Sequence, residues 1–388
     1  MKKIIIVNNN MKVGGVQKSL YNLLWSIDGE YEVTLLLFRA IGAYIDCLPA
    51  GVKILETDSL FRYLGVSQGE CTGLDKLKRG ALAALCRVMG RGRVMKLLLA
   101  SQRTLKEEYD CAIAFLHNGN VKNFYGGVQD FVLHRVKAKK KVAFLHCDYR
   151  NSGANHTINN SIIGQFDQVA ACSDGCRQAF ISVLPEWESK CTTVINCHRF
   201  EEIHALASVN PVEYDRSCTN VVMVSRLAHE KGVERALEAM VCVIGKGIPV
   251  ALHIVGGGPM EFCLRERAAE LNITDYVHFH GEQSNPYRYM KHADLFLMTS
   301  YHEAAPMVID EAAALGVPVL TVETTSSMEM VTHKGRGWVC ENRQDALNEM
   351  LVQVLADPGL LQGVRTRLHE RVMDNTLALE QFAKMIEG

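Results

Sequence analysis

Apolar runs of strand length alternate with amphipathic stretches of helical period, almost from the first residue. Lys3–Asn8 carries a run of β-branched residues, as a strand buried on both faces of a parallel sheet requires. Val13-Gly14-Gly15-Val16 then turns into a predicted helix over Gln17–Ser26, where Leu20, Leu23, Leu24 and, just beyond, Ile27 recur at helical spacing. Further strands are predicted at Val33–Phe38, Ala112–Leu116, Val142–Leu145, Val169–Ala171 and Thr193–Ile195. Strand patterns separated by helical ones imply parallel βαβ units. Glu201 to Ser217 lacks a strong pattern and holds Asn210-Pro211, so the linker is placed over 201–217.

A second α/β series follows. Strands are predicted at Asn220–Val224, Val250–Val255, Val277–Phe279, Leu295–Met298 and Val317–Val322, with helices at Gly232–Val243, Met260–Leu271 and Met307–Leu315. The expected fold class is therefore α/β, with two Rossmann-like domains over 1–200 and 218–372. Ligands in such sheets bind at the carboxyl ends of the strands.

The length of 388 residues suits two domains of about 150–200 residues each. The longest apolar runs, such as Val33–Phe38 and Val317–Val322, fall far short of the roughly 20 residues that span a bilayer. The apolar start of the chain runs straight into Asn8-Asn9-Asn10 and reads as a first strand, not a signal peptide. Thirteen cysteines form no C-x-x-C pair, and Cys172 and Cys176 have no histidine nearby at zinc-ligand spacing. They read as small buried hydrophobes in a reducing cytoplasm. Net charge is −1, yet residues 1–200 hold 26 Lys+Arg against 17 Asp+Glu and the remainder 16 against 26. Opposite signs on the two halves suggest different partners.

Two constellations carry chemistry. In Val224-Ser225-Arg226-Leu227-Ala228-His229-Glu230-Lys231-Gly232 a strand end opens a helix, which places Arg226 and Lys231 where phosphates bind. Two cations there can neutralise a leaving diphosphate without a metal; a solvated basic loop is the plainer alternative. In Ser300–Ala312 two glutamates eight apart straddle a strand-to-helix turn, Glu303 in the loop and Glu311 inside the helix. A carboxylate can accept two sugar hydroxyls at once.

Arg226-Leu227 with Lys231-Gly232, Glu303-x7-Glu311 and Gly316-Val317-Pro318 together resemble glycosyltransferase family 4, the glycosyl transferases group 1, whose members share the GT-B fold. The resemblance extends to Gly256-Gly257-Gly258-Pro259, to Asn285-Pro286-Tyr287 and to Gly14-Gly15, and so covers most of residues 3–340. It implies two Rossmann-like domains facing each other across a cleft, acceptor bound by the first and nucleotide-sugar donor by the second. A closing helix within 373–388 is expected to cross back to the N-terminal domain.

By the same resemblance, Arg226 and Lys231 would hold the donor diphosphate, Glu311 the ribose, and Glu303 the transferred sugar. Gly14, Gly15, Gly257, Ala304, Ala305, Pro306, Met307 and Val308 would complete the donor site. The strand ending at His146-Cys147-Asp148 resembles the segment whose histidine lines the catalytic cleft, so that role is carried to His146, with His117 as competitor and Asp148 as a further acceptor-side candidate. The implied activity is retaining, metal-independent transfer of a hexose or N-acetylhexosamine, from a UDP-sugar by preference, to a lipid-linked glycan of bacterial surface polysaccharide. The expected location is the cytoplasm, at the inner face of the membrane. No cofactor and no metal are expected, because no D-x-D loop follows a strand. The family commonly has glycine after the first glutamate where this chain has Ala304-Ala305, and often proline where it has Cys197.

Gly256–Pro259 lacks the G-x-G-x-x-G spacing of a dinucleotide site, which speaks against hydride transfer. Leu74 to Lys106 holds nine Lys or Arg and one acid, Asp75, among many leucines. An anionic membrane face suits this stretch, with Lys137-Ala138-Lys139-Lys140-Lys141 as an extension. A solvated basic helix with its apolar stripe on the core fits equally, while nucleic acid is disfavoured for want of interleaved aromatics. Two further readings remain, a nucleotide-sugar epimerase on the same fold and a catalytically silent nucleotide- or sugar-binding partner subunit.

Overall fold

A computed structural model describes residues 1–387. The first unit comprises Met1–Cys197 and the segment from Asn375 onward; the second is His198–Asp374.

In the first unit the chain runs β1 (Lys3–Asn8), α1 (Gly15–Ser26), β2 (Glu32–Leu37), β3 (Lys53–Glu56), α2 (Gly73–Met89), α3 (Arg91–Ala100), β4 (Glu108–Ala114), α4 (Val128–Arg135), β5 (Lys137–Leu145), α5 (Thr157–Ile163), β6 (Gln168–Ala171), α6 (Asp174–Ile181) and β7 (Cys191–Thr193). The strands pair in the order β3-β2-β1-β4-β5-β6-β7, all in parallel. Ile4, Ile5, Ile6 and Val7 are all fully buried, so both faces of β1 are covered. That burial is why the run shows no polar alternation.

The second unit runs α7 (Phe200–Ala207), β8 (Thr219–Val224), α8 (Val233–Gly245), β9 (Val250–Val255), α9 (Glu261–Glu270), β10 (Val277–Phe279), α10 (Tyr287–Met290), β11 (Leu295–Met298), α11 (Met307–Ala314), β12 (Val319–Val322), β13 (Gly337–Cys340), α12 (Gln344–Ala356) and α13 (Pro358–His369). Its parallel sheet has the order β10-β9-β8-β11-β12-β13. Alternate residues of β8 feed opposite cores: Val221 and Met223 pack toward α8, while Val222 joins Phe296, Ile309 and Val319 on the other face. Each aliphatic side chain buried this way contributes about 1.5–3 kcal/mol. The last helix, α14 (Thr376–Glu387), packs on the first unit. There Gln381 accepts the Ile195 N–H at 3.0 Å, and the Met385 carbonyl accepts Lys140 Nζ at 2.7 Å.

Several expectations need correction. The predicted linker 201–217 opens inside α7, whose Ile203 and Ala207 are buried in the core of the second unit. Strand β7 is Cys191–Thr193 rather than Thr193–Ile195, and β3 and β13 have no counterpart among the predicted strands. The lysines of 137–141 are the first half of β5, not an extension of a basic helix. Lys141 Nζ donates to the Leu133 carbonyl at 2.7 Å, and Lys139 pairs with Asp110 at 2.7 Å.

Candidate active site

Each sheet reverses its strand order once, between β1 and β4 in the first unit and between β8 and β11 in the second. Loops diverge to opposite faces at such a switch point and leave a crevice beyond the carboxyl ends of the two strands.

In the second unit that crevice is lined by the loop after β8, which carries Arg226 and Lys231, and the loop after β11, which carries Glu303. Lys231 Nζ donates to Glu303 Oε1 at 2.6 Å, and Ser300 Oγ donates to the same oxygen at 2.8 Å. Gly232 explains how the loops come so close. Its φ is 59°, in the left-handed region, and a Cβ there would overlap the Thr299 carbonyl oxygen at the end of β11. Thr299 Oγ1 donates back to the Gly232 carbonyl at 2.7 Å. The Lys-Gly pair thus couples the ends of β8 and β11.

Arg226 is exposed and paired with Glu230. Arg235 is buried in the wall behind, donating to Asn342 Oδ1 at 2.6 Å with its guanidinium 5.0 Å from the Tyr301 ring centroid. Gly256, at φ 138°, sits where a Cβ would overlap the Ser225 carbonyl, and the Gly257 carbonyl accepts the Leu227 N–H at 2.9 Å. The glycine turn therefore braces the loop that carries Arg226.

Ala304, Ala305, Pro306, Met307 and Val308 lead into α11, and the Ala304 carbonyl accepts the Ser326 hydroxyl. Glu311 is buried on that helix and accepts the Tyr287 hydroxyl at 3.1 Å. Burial would push the neighbouring Asp310 carboxyl up, but His198 and Arg336 hold it well below the usual carboxylate range. Arg336 Nη1 lies 2.6 Å from Asp310 Oδ1 and His198 Nε2 3.4 Å from Oδ2, which fixes the helix that presents Glu311. Sequence reasoning assigned no role to Ser300, Tyr287 or Arg235. Tyr287 and Ser300 stood in quoted motifs; Arg235 gave no local signal.

In the first unit the switch-point loops are residues 9–14, between β1 and α1, and the segment after β4 that holds His117. Gly14 and Gly15 open α1, with Gly14 extended at φ 171°. Asn9 and Asn10 are buried here; Gln17 Nε2 donates to Asn9 Oδ1 at 3.3 Å. His146 follows β5, which pairs with β4, so the two competing histidines stand at adjacent strand ends. The His146 ring stacks on Phe144 at 4.5 Å between centroids and tilts against Phe115 at 4.6 Å. Asp148 turns its carboxylate onto its own loop, accepting N–H groups from Arg150 at 3.0 Å and Asn151 at 3.1 Å.

His117 Nδ1 and His146 Nε2 are buried without a hydrogen-bond partner among the described residues. Burial pushes His117 down to about 4; burial and the neighbouring His117 push His146 down to about 3. His253, buried in the second sheet beside His278 and His280, is likewise pushed down to about 3. All three stay neutral in the folded chain while the unfolded chain protonates them below about 6.5. Folding stability is therefore complete above that pH and falls as pH drops below it, by at most about 1.4 kcal/mol per pH unit for each histidine. Urea melts between pH 6.5 and about 5.5, roughly a unit above the ordinary glutamate value of 4.5, should show the onset of this loss, and His253→Gln should make it shallower. A flat profile for the natural chain would remove the argument.

No group of three His, Cys, Asp or Glu that could hold a metal ion occurs among the described residues. No helix among them is long and apolar enough to cross a membrane.

The family model of glycosyl transferases group 1 matches residues 218–372, which is the second unit from β8 through α13. The O-antigen biosynthesis glycosyltransferase WbnH of Escherichia coli is 33% identical over 261 residues, covering 61% of this chain and 74% of that one. N-acetyl-alpha-D-glucosaminyl L-malate synthase of Bacillus anthracis is 28% identical over 156 residues, only 40% of either chain. The crystal structure of Anabaena Alr3699/HepE in complex with UDP superposes with a TM-score of 0.66 at 18% identity, covering 100% of this chain and 99% of that one. Two parallel sheets of Rossmann order in one chain, with these likenesses, define a glycosyltransferase of the GT-B fold. The chain belongs to the glycosyl transferases group 1 family.

Proposed function

We propose that the enzyme moves a hexose or N-acetylhexosamine from a nucleotide sugar, UDP-linked by preference, to a lipid-linked glycan precursor of bacterial surface polysaccharide. The observation that carries this reading is the Lys231–Glu303 pair, 2.6 Å apart across the switch point of the second sheet. A cation and a carboxylate in contact suit the junction of a donor, where phosphate meets sugar. The nucleotide preference follows the UDP held in the HepE structure, and the acceptor class follows the O-antigen role in the WbnH name.

In this reading Lys231 and Arg226 neutralise the charge that develops on the leaving diphosphate. Backbone N–H groups at the start of α11 add donors for a phosphate. Glu303 takes hydroxyls of the transferred sugar. Glu311 takes the ribose hydroxyls, its carboxylate steadied by Tyr287. Acceptor binding is assigned to the strand ends of the first unit, where neutral His146 and His117 can each hold a hydrogen bond to a hydroxyl. The acceptor enters on the face from which the diphosphate departs, so the anomeric configuration is retained.

Because two side-chain cations meet the diphosphate, turnover needs no divalent ion. Release of nucleoside diphosphate from the donor is expected to persist in excess EDTA. Loss on chelation with recovery on adding manganese would overturn that claim. A silent partner subunit would release none under either condition.

A further inference from the structure

Helix α2 carries its apolar stripe on the side away from the protein. Only Leu82 and Cys86 of this helix are buried. Leu74, Leu77 and Val88 are 72%, 70% and 84% exposed, and Ala81, Ala84 and Leu85 between them also face outward. Positions 74, 77, 81, 84, 85 and 88 recur at the helical period and so share one face. Lys78 borders that face on one side and Lys76 and Arg87 on the other, all exposed. Helix α3 adds exposed Arg93, Lys96 and Leu97. The acid of this stretch, Asp75, accepts a hydrogen bond from Tyr63 at 2.8 Å.

The helix pair is anchored firmly from beneath. Arg91, which sequence reasoning counted among the surface cations, is buried and donates to Asp130 Oδ2 and Asn118 Oδ1, each at 2.7 Å. The stripe is therefore a fixed feature of the first unit's surface.

We infer that α2 and α3 dock on an anionic lipid surface, with the Leu74–Val88 stripe at the acyl boundary and the flanking cations among the headgroups. An outward apolar stripe bordered by cations on both sides matches the two layers of such a surface. A second copy of the same face would bring its cations against these, so self-pairing is opposed by charge. The inference is independent of which donor the enzyme uses.

The test is co-sedimentation of the full chain with phosphatidylcholine vesicles, with and without added phosphatidylglycerol. Binding is expected to rise about tenfold or more with the anionic lipid and to fall with salt. Leu77→Glu with Val88→Glu should abolish it, and Lys76→Glu with Lys78→Glu and Arg87→Glu should abolish the anionic preference. Neither set should change release of nucleoside diphosphate from the donor, which keeps a failure here distinct from a failure of the transferase reading. Absence of sedimentation, equal binding to neutral vesicles, or a wild-type dimer in gel filtration that Leu77→Glu with Val88→Glu converts to monomer would each overturn the inference.

Discussion

Lys231→Ala is expected to lower kcat about 10²–10³-fold, a loss of about 2.7–4 kcal/mol of transition-state stabilisation. The ammonium stands 2.6 Å from Glu303 and is only partly exposed, with 26% of its side-chain surface open. Its charge therefore acts in a setting where water screens it poorly. The leaving diphosphate gains negative charge as the sugar bond breaks, so the interaction is worth more in the transition state than in the bound donor. The effect should fall on kcat and kcat/KM together, not on KM alone. Glu303→Ala in the same background should cost less than it does alone, because the two residues share one contact. Steady-state kinetics on the single and double variants, with thermal melts to show intact folding, check both points. Near-normal turnover by Lys231→Ala would remove the phosphate assignment.

Glu311→Ala should act differently, raising the donor KM with a smaller change in kcat. Hydrogen bonds to a charged group contribute about 1.5–3 kcal/mol each, so loss of one ribose contact corresponds to roughly 10–100-fold in affinity. The ribose is remote from the reacting carbon, and its contacts are the same before and during transfer. The substitution also deprives the buried Tyr287 hydroxyl of this acceptor, at a stability cost of about 1–3 kcal/mol. Glu311→Gln restores an acceptor for Tyr287 and should recover stability more than affinity. Recovery of both in step would mean that Glu311 serves packing rather than the donor.

The repeating strands and helices were legible because a parallel sheet covered on both faces leaves unbroken apolar runs, as in Ile4–Val7 and Val250–Val255. The strands that escaped are edge strands, one in each sheet. Lys53–Glu56 is short and largely exposed, and Gly337–Cys340 begins with a glycine, so neither carries a clear apolar period. Lys231-Gly232 was legible as a motif, yet the need for glycine became physical only with Thr299 beside it. His117 and His146 read as rivals in sequence, because nothing local shows that their strands are neighbours. On α2, periodicity revealed a stripe but not its direction, since a period carries no information about which face the rest of the chain covers. Arg91 shows the converse: a cation in a basic run whose partner, Asp130, lies 39 positions away.

Calorimetric titration of the natural chain and of Lys231→Ala with UDP, GDP and ADP, in EDTA, reaches the central claim most directly. One of these nucleotides is expected to bind with a single-site isotherm, and Lys231→Ala to weaken that binding at least about tenfold. Saturable binding that Lys231→Ala leaves unchanged, or no binding of any of the three to the folded chain, would contradict a diphosphate site at the switch point of the second sheet.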